Sequence, residues 1–251
     1  MNDPWSQRGY RCRLEWGRRG ARVAAERGDI LVVVDVLSFS TATVTAVQHG
    51  GVIRPCAWTD DPAALAAGLG AEAAVHRRDV PAKGRFSLSP PTFNAIEPGT
   101  RVVLASPNGA TCAQYGKTVP HLLVGALVNA RAVSEAVAGL LASTSLNVTV
   151  LACGERWQLP SEDGDLRFAI EDYLGAGAIL SGLPAGLSRS PEAAVCQAAF
   201  AGVSGDIART VWESGSGLEL REAGFPEDVD SASQVNEFTA VPRMVNGWLL
   251  A

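Results

Sequence analysis

Polar side chains that could carry chemistry follow three apolar runs of the chain. The runs and the residues after them are 30–34 with Asp35, 102–105 with Asn108 and Gly109, and 148–153 with Glu162 and Asp163. Each run has strand character and precedes a helical pattern. If the three strands are parallel in one sheet, their ends meet at the edge where open α/β folds bind ligands. Carboxylates there suit a hard cation, and helix N-termini suit an anion such as a phosphate group.

Asp35 ends the first run directly, which is a position from which an acid can bind a cation or orient a water molecule. The alternative is that Asp35 only caps the helix that follows. A series of hydroxyl side chains begins at Ser38. The early ones either cap that helix or donate hydrogen bonds to phosphate oxygens.

The second run leads into Ser-Pro-Asn-Gly-Ala-Thr at 106–111. Asn108-Gly109 suits a tight turn with positive φ, which also lets backbone amides approach an anion closely. An ordinary turn is the alternative, because this is not the P-loop pattern. Asn108, Gly109 and Thr111 are therefore candidate phosphate-binding residues.

The third run is followed by two acids in what the pattern predicts to be the start of a helix. Ser161 would cap this helix over 165–182, and the helix dipole favours acids in the first turn. Helical spacing places Glu162 and Asp163 above the apolar face, where carboxylates are costly unless they are paired or bound to metal. The pair is typical of a Mg²⁺ site.

Two further residues are candidates for contact with an anionic substrate. Arg156 lies in the same acidic loop and is the cation best placed to hold an anionic group. Asn129 begins the helix predicted after the strand at 121–125, where it either caps the helix or contacts the substrate.

The elements that must position these residues alternate between strand and helix. Strands are predicted at 30–35, 52–57, 73–75, 101–105, 121–125, 147–153 and 239–241. Helices are predicted at 40–49, 61–69, 109–116, 129–142, 165–182 and 191–202, and in two pieces over 215–235 that break at Gly224. The segments 76–100 and 154–164 are predicted to be loops. This alternation favours a three-layer α/β/α fold with a mostly parallel or mixed sheet, as a single domain over 1–251 or as two lobes divided near residue 100.

Composition excludes several classes of protein. No apolar run approaches the roughly 18 residues of a membrane span, and 1–28 has no apolar signal core, so we expect a cytoplasmic protein. The net charge is −5, and the Arg-rich segment 1–28 is expected to be solvated or to contact another subunit rather than nucleic acid. The five cysteines have no zinc-site spacing and are expected to be reduced and buried. A homodimer is expected.

Five motifs occur in an order that resembles the 2-phosphosulfolactate phosphatase (ComB-like) family. They are VVVDVLSFSTATV, SPNGATC, VGALVNARAV, VTVLACGERW with SEDGD, and SGSGLELREAGFPEDVDSA, and together they cover about residues 10–245. The resemblance implies a three-layer α/β fold and Mg²⁺-dependent hydrolysis of phosphosulfolactate to sulfolactate and phosphate, on the way to coenzyme M.

The resemblance also implies roles for residues in matching motifs. Asp35, Glu162 and Asp163 are expected to be catalytic and to hold Mg²⁺. The residues expected to contact a small anionic phosphorylated substrate are Ser38, Asn108, Gly109, Thr111, Asn129, Cys153, Gly154 and Arg156.

The chain departs from the family pattern where Ser38 stands in place of a common arginine, the natural bidentate partner of a sulfonate or phosphate. This departure leaves open a second hypothesis, a non-catalytic protein that binds a phosphorylated or carboxylated metabolite. A Rossmann-type nucleotide site is a weaker third hypothesis, because no GxGxxG follows a strand.

Overall fold

A computed structural model of the chain describes residues 4–162 and 164–251. The strands are β1 Cys12–Trp16, β2 Ile30–Val34, β3 Val52–Ala57, β4 Glu72–Ala73, β5 Arg101–Ser106, β6 His121–Gly125, β7 Val148–Ala152, β8 Glu155–Ser161, β9 Gly164–Arg167, β10 Arg243–Val245 and β11 Trp248–Leu250. The α-helices are α1 Gly17–Arg27, α2 Phe39–Gln48, α3 Pro62–Leu69, α4 Gly109–Tyr115, α5 Ala130–Ser143, α6 Ile170–Gly182, α7 Pro191–Val203, α8 Ile207–Trp212, α9 Gly215–Glu222 and α10 Pro226–Ala232. Short 3-10 turns join several of them.

Nine strands form one mixed sheet in the order β1-β7-β2-β6-β10-β11-β3-β5-β4. Two blocks are internally parallel: β1-β7-β2-β6 on one side, and β3-β5-β4 on the other. The C-terminal hairpin β10–β11 lies between them, and all three of its pairings are antiparallel. With three reversals between β6 and β3, the second block runs opposite to the first. The hairpin therefore joins two parallel halves into one sheet.

The central strand β2 shows why the sheet carries helices on both faces. All five of its residues are fully buried, as expected for an apolar, β-branched strand in a parallel block. Ile30, Val32 and Val34 pack in a core with residues of α5 and α6, whereas Leu31 and Val33 pack in a second core with residues of α1 and α4. This arrangement confirms the predicted three-layer α/β/α fold.

Three predicted elements differ in the structure. The segment 154–164, predicted to be a loop, forms most of the antiparallel hairpin β8–β9, and α6 begins at Ile170 rather than at 165. The strand predicted at 239–241 is absent, because the backbone of Thr239 and Ala240 instead donates to the Gln48 side chain. The helix α8 was not predicted.

The Arg-rich segment is part of the fold. It contains β1 and α1, neither of which the sequence analysis predicted. Arg13 Nη1 donates to both carboxylate oxygens of buried Asp29, at 2.7 and 2.8 Å, and Arg27 donates to Asp29 and Glu15. The expectation of a solvated segment is therefore wrong for these two arginines, whose charges the fold needs.

Two predictions from composition can be compared with the structure. All five cysteines are buried and free, as expected. Across the part of the chain that the structure describes, no helix combines the length and the apolar character needed to cross a bilayer.

Candidate active site

Asp35 lies at the carboxyl end of β2 and is 3% exposed. Its carboxylate accepts hydrogen bonds from the Gly109 N–H at 2.6 Å, from the Ser106 hydroxyl at 3.3 Å and from the Phe39 N–H at 3.3 Å. A carboxylate offers about four acceptor positions, so one remains for a ligand. Burial raises the pKa of Asp35 to about 6, although the hydrogen bonds oppose this shift.

Gly109 is the residue that permits this close approach. A Cβ atom at this position would lie 2.4 Å from the Phe39 ring and 2.7 Å from Asp35 Oδ2. The glycine is therefore required by contact with Asp35. Its N–H points at Asp35, and the Asn108 N–H bonds Ser106 Oγ at 3.2 Å. These two amides are already occupied, so the expectation that they bind phosphate oxygens is wrong.

The ends of β2 and β5 meet although the strands run in opposite directions through the sheet. The three predicted strands are therefore not all parallel, which corrects the premise behind their convergence. Asp35 nevertheless accepts hydrogen bonds from the Ser106 hydroxyl and the Gly109 N–H, so the ends of β2 and β5 are in direct contact.

Glu155 brings a second carboxylate to the site from the first residue of β8. The Asn108 side-chain amide donates to it at 2.9 Å, and the Arg156 Nε donates to the oxygen of the same amide at 3.2 Å. Arg156 also pairs with Asp165 at 3.0 Å. Burial, together with the negative charge of Asp35, raises the pKa of Glu155 to about 7.

Two further acids, Glu171 and Asp172, are buried in the first turn of α6. Asp172 accepts the N–H of Val36 at 2.7 Å and that of Gly154 at 2.8 Å, and so holds together the loops that follow β2 and β7. Burial raises the pKa of both carboxyls, and the charge of Asp35 adds to the rise for Asp172. The site therefore concentrates negative charge.

Arg77 reaches the site from the irregular segment 76–100. Its Nη2 donates to Ser38 Oγ at 2.7 Å, and its Nε donates to Asp228 Oδ2 at 2.7 Å. The Ser89 hydroxyl donates to the other oxygen of Asp228, and the guanidinium lies 5.8 Å from the centre of the Phe225 ring. A guanidinium from elsewhere in the chain thus stands beside Ser38.

A cleft of about 320 Å³ is lined by Asp35, Ser38, Arg77, Asn108 and Glu155 among others. Among its described lining residues the charged groups are the carboxylates of Asp35, Glu155 and Glu219 and the guanidinium of Arg77. A phosphate dianion would meet more negative than positive charge there. The cleft is therefore complementary to an anionic substrate only when a cation accompanies it.

Comparison with known proteins identifies the family. The profile described as 2-phosphosulpholactate phosphatase matches residues 20–247, most of the chain. The chain belongs to the 2-phosphosulpholactate phosphatase family. It is 28% identical over 235 residues to a Deinococcus radiodurans protein named "Probable 2-phosphosulfolactate phosphatase", covering 87% of this chain and 89% of that one. A Carboxydothermus hydrogenoformans protein with the same name is 28% identical over 222 residues, covering 84% of each chain.

Glu162 lies in a different setting from the predicted one. Glu162 is in the turn of the β8–β9 hairpin and is exposed, and it does not line the cleft. The predicted helix start that would have placed Glu162 at the core edge is wrong, because β8 and β9 pair here. Asp163 lies outside the described residues.

Four other candidate residues hold the surrounding loops in place. Thr111 accepts the Trp58 N–H at 3.1 Å and donates to the Ser106 carbonyl at 2.7 Å. Asn129 is fully buried, and its amide bonds the Ala126 N–H and the Ala240 carbonyl, both at 2.9 Å. Neither residue lines the cleft.

Cys153 and Gly154 form the turn from β7 into the hairpin. Cys153 is fully buried, and burial together with neighbouring Cys112 raises the pKa of its thiol well above the usual range. Gly154 has φ of +68°, and a Cβ atom there would lie 2.8 Å from Leu166 Cδ1. Both residues therefore shape the backbone at the site.

Four residues at the site were not predicted from the sequence: Arg77, Glu155, Glu171 and Asp172. Glu155 follows the β7 run more closely than Glu162 does, and the acids of α6 interrupt an otherwise apolar helix. Both signals were readable. Arg77 carried no such signal, because only tertiary folding brings its segment to Ser38.

Proposed function

We propose that this protein is a Mg²⁺-dependent phosphatase that hydrolyses the phosphate ester of a small 2-hydroxy acid, the chemical class of 2-phosphosulfolactate. Its family makes it a hydrolase acting on a phosphomonoester. The observation that carries the proposal is the cleft in which Asp35, Glu155 and Arg77 stand around one opening. The arginine supplies the positive charge that the acid group of such a substrate needs.

The donors present fit Mg²⁺. Within 4–162 and 164–251 no group of three or more His, Cys, Asp or Glu side chains could form a metal cage. Mg²⁺ needs none, because it is commonly bound by one or two carboxylates, water and the phosphate of the substrate. Asp35, with an acceptor position left, would hold it near the Ser106 hydroxyl. When bound, the ion neutralises charge on the phosphoryl oxygens.

Each remaining group has a task that its position suggests. In the hydrolysis, an oxygen of water bonds to phosphorus, the ester P–O bond breaks, and the departing alkoxide takes a proton. Glu155, oriented by Asn108, is placed to transfer that proton. Arg77 and Ser38 bind the acid group of the substrate, whereas Arg156, which is not among the residues that line the cleft, orients Asn108 through its Nε.

A matched pair of substitutions tests the proposal. Phosphate release from 2-phosphosulfolactate and 2-phospholactate is measured with Mg²⁺ and with a chelator. Glu155→Gln is expected to lower kcat by about 10²–10⁴-fold, as for loss of a general acid, whereas Glu162→Gln stays within about twofold. No phosphate from any substrate at high enzyme concentration, or equal losses in both variants, would contradict the assignment.

The proposal also covers the cellular location and the oligomeric state of the protein. Five buried free thiols suit a reducing compartment, in line with the cytoplasm. The β8–β9 hairpin exposes Trp157 and Leu159, and Phe168 is exposed just after it, which supports a homodimer that covers them. Analytical ultracentrifugation tests the dimer: a monomer at micromolar concentration would contradict it.

A further inference from the structure

A second chamber adjoins the cleft. It has a volume of about 400 Å³ and shares Arg77 and Leu88 with the cleft as lining residues. Trp58, Val75 and Leu104 line other parts of it. Because the same two side chains border both spaces, a substrate whose acid group is held at Arg77 has its remaining substituent within reach of the chamber.

The charges of the chamber disfavour a second anionic group. Asp60, Asp79 and the imidazole of His76 line it, and in the proposed binding mode Arg77 already holds the carboxylate of the substrate. Lys83, which lies next to Asp79 at 2.9 Å, is paired with that acid. A sulfonate placed here would meet two carboxylates, and the Arg77 guanidinium would already be engaged by the carboxylate of the substrate. The desolvation of that sulfonate would not be offset.

The apolar lining suits an uncharged substituent. Trp58 is 58% exposed, so much of its indole is open to contact. Its backbone N–H bonds Thr111 Oγ1, which ties this part of the chamber to the start of α4 beside Asp35. An aromatic ring packed against an indole gains burial of apolar surface and favourable ring–ring geometry.

We infer that the chamber is a specificity subsite for the side chain of the substrate, and that the preferred substrates are phosphate esters of 2-hydroxy acids with an apolar, in particular aromatic, side chain. This inference rests on the proposed function, since it takes the cleft to be the site of phosphate release. It separates this chain from a phosphatase that requires a sulfonate.

The test compares three substrates that differ only in the side chain: 2-phospholactate, 2-phospho-3-phenyllactate and 2-phosphosulfolactate. For the whole protein with Mg²⁺, kcat/KM is expected to be at least about tenfold higher for the phenyl compound than for the methyl compound. This factor corresponds to the free energy gained by burying an aromatic ring. Trp58→Ala is expected to remove most of that preference while leaving 2-phospholactate within about twofold. Trp5→Ala, an exposed tryptophan in the N-terminal turn, is the matched control.

A second variant guards against misfolding of the first. Ala74→Leu fills part of the chamber from its half-buried wall and should lower kcat/KM for the phenyl compound alone. Preference for 2-phosphosulfolactate, or equal losses on all three substrates in both variants, would overturn the inference. If no substrate releases phosphate, the proposed function fails. The role of the chamber is then tested by calorimetric affinities for the phenyl and methyl compounds. Equal affinities overturn the inference, whereas tighter binding of the phenyl compound that is lost in Trp58→Ala supports it.

Discussion

Asp35→Asn is expected to stabilise the metal-free protein while it abolishes activity. Moving the pKa of a buried carboxyl from 3.8 to about 6 costs about 3 kcal/mol of folding free energy at pH 8, at about 1.4 kcal/mol per unit. Asparagine removes that cost. Its amide can still accept the Gly109 N–H, but it leaves the Phe39 N–H without an acceptor, which costs about 1 kcal/mol. The net gain is therefore about 2 kcal/mol.

This gain depends on pH in a defined direction. The folded protein binds the Asp35 proton more tightly than the unfolded chain does, so stability falls as pH rises through this titration. The cost of the charge is absent below about pH 4, grows between about pH 4 and 6, and is complete above that range. At pH 5 about half of it remains, so the gain from asparagine should fall to about 0.5 kcal/mol there.

Urea unfolding in the presence of a chelator, at pH 5 and at pH 8, measures the effect. Asp230→Asn, which changes an exposed acid, is the control and should shift neither midpoint. The activity arm is phosphate release with Mg²⁺, expected to fall by about 10³-fold or more because the ion loses its carboxylate. A variant less stable than the parent by the same amount at both pH values would refute the electrostatic reasoning.

Three further outcomes are expected. Gly109→Ala should lower activity by about 100-fold and stability by about 1–3 kcal/mol, because its Cβ atom overlaps Phe39 and Asp35. Kinetics and urea unfolding measure the two effects, and wild-type kinetics in the variant would refute the contact. Asp228→Asn should raise KM about tenfold with kcat little changed, because Arg77 loses a charged partner. A fall in kcat alone would count against the binding of substrate by Arg77. Mg²⁺ at about 100 times its Kd should stabilise the parent protein by about 3 kcal/mol in thermal unfolding and leave Asp35→Asn unaffected. Equal stabilisation of the parent and the variant would show that Asp35 does not hold the ion.

The sequence was sufficient for the layers and for Asp35. The run at 30–34 is apolar at every position rather than at every second one, and a carboxylate follows it at Asp35. This local pattern predicts both a strand buried on its two faces and a polar strand end. These features depend on neighbours in the chain, which is why the pattern contains them. The positive φ predicted at Asn108-Gly109 is not found, and the contact of Gly109 with Asp35 spans 74 residues, so the local pattern could not show it.

Only the tertiary structure decided which polar groups share the cleft. The local pattern at 161–165 predicts a helix start, yet cross-strand pairing makes it a hairpin and leaves Glu162 in water while Glu155 enters the site. Arg77 and Asp228 are 151 residues apart, and Arg77 and Ser38 are 39 apart. No local period encodes such contacts, because they depend on the packing of segments that are distant in the sequence.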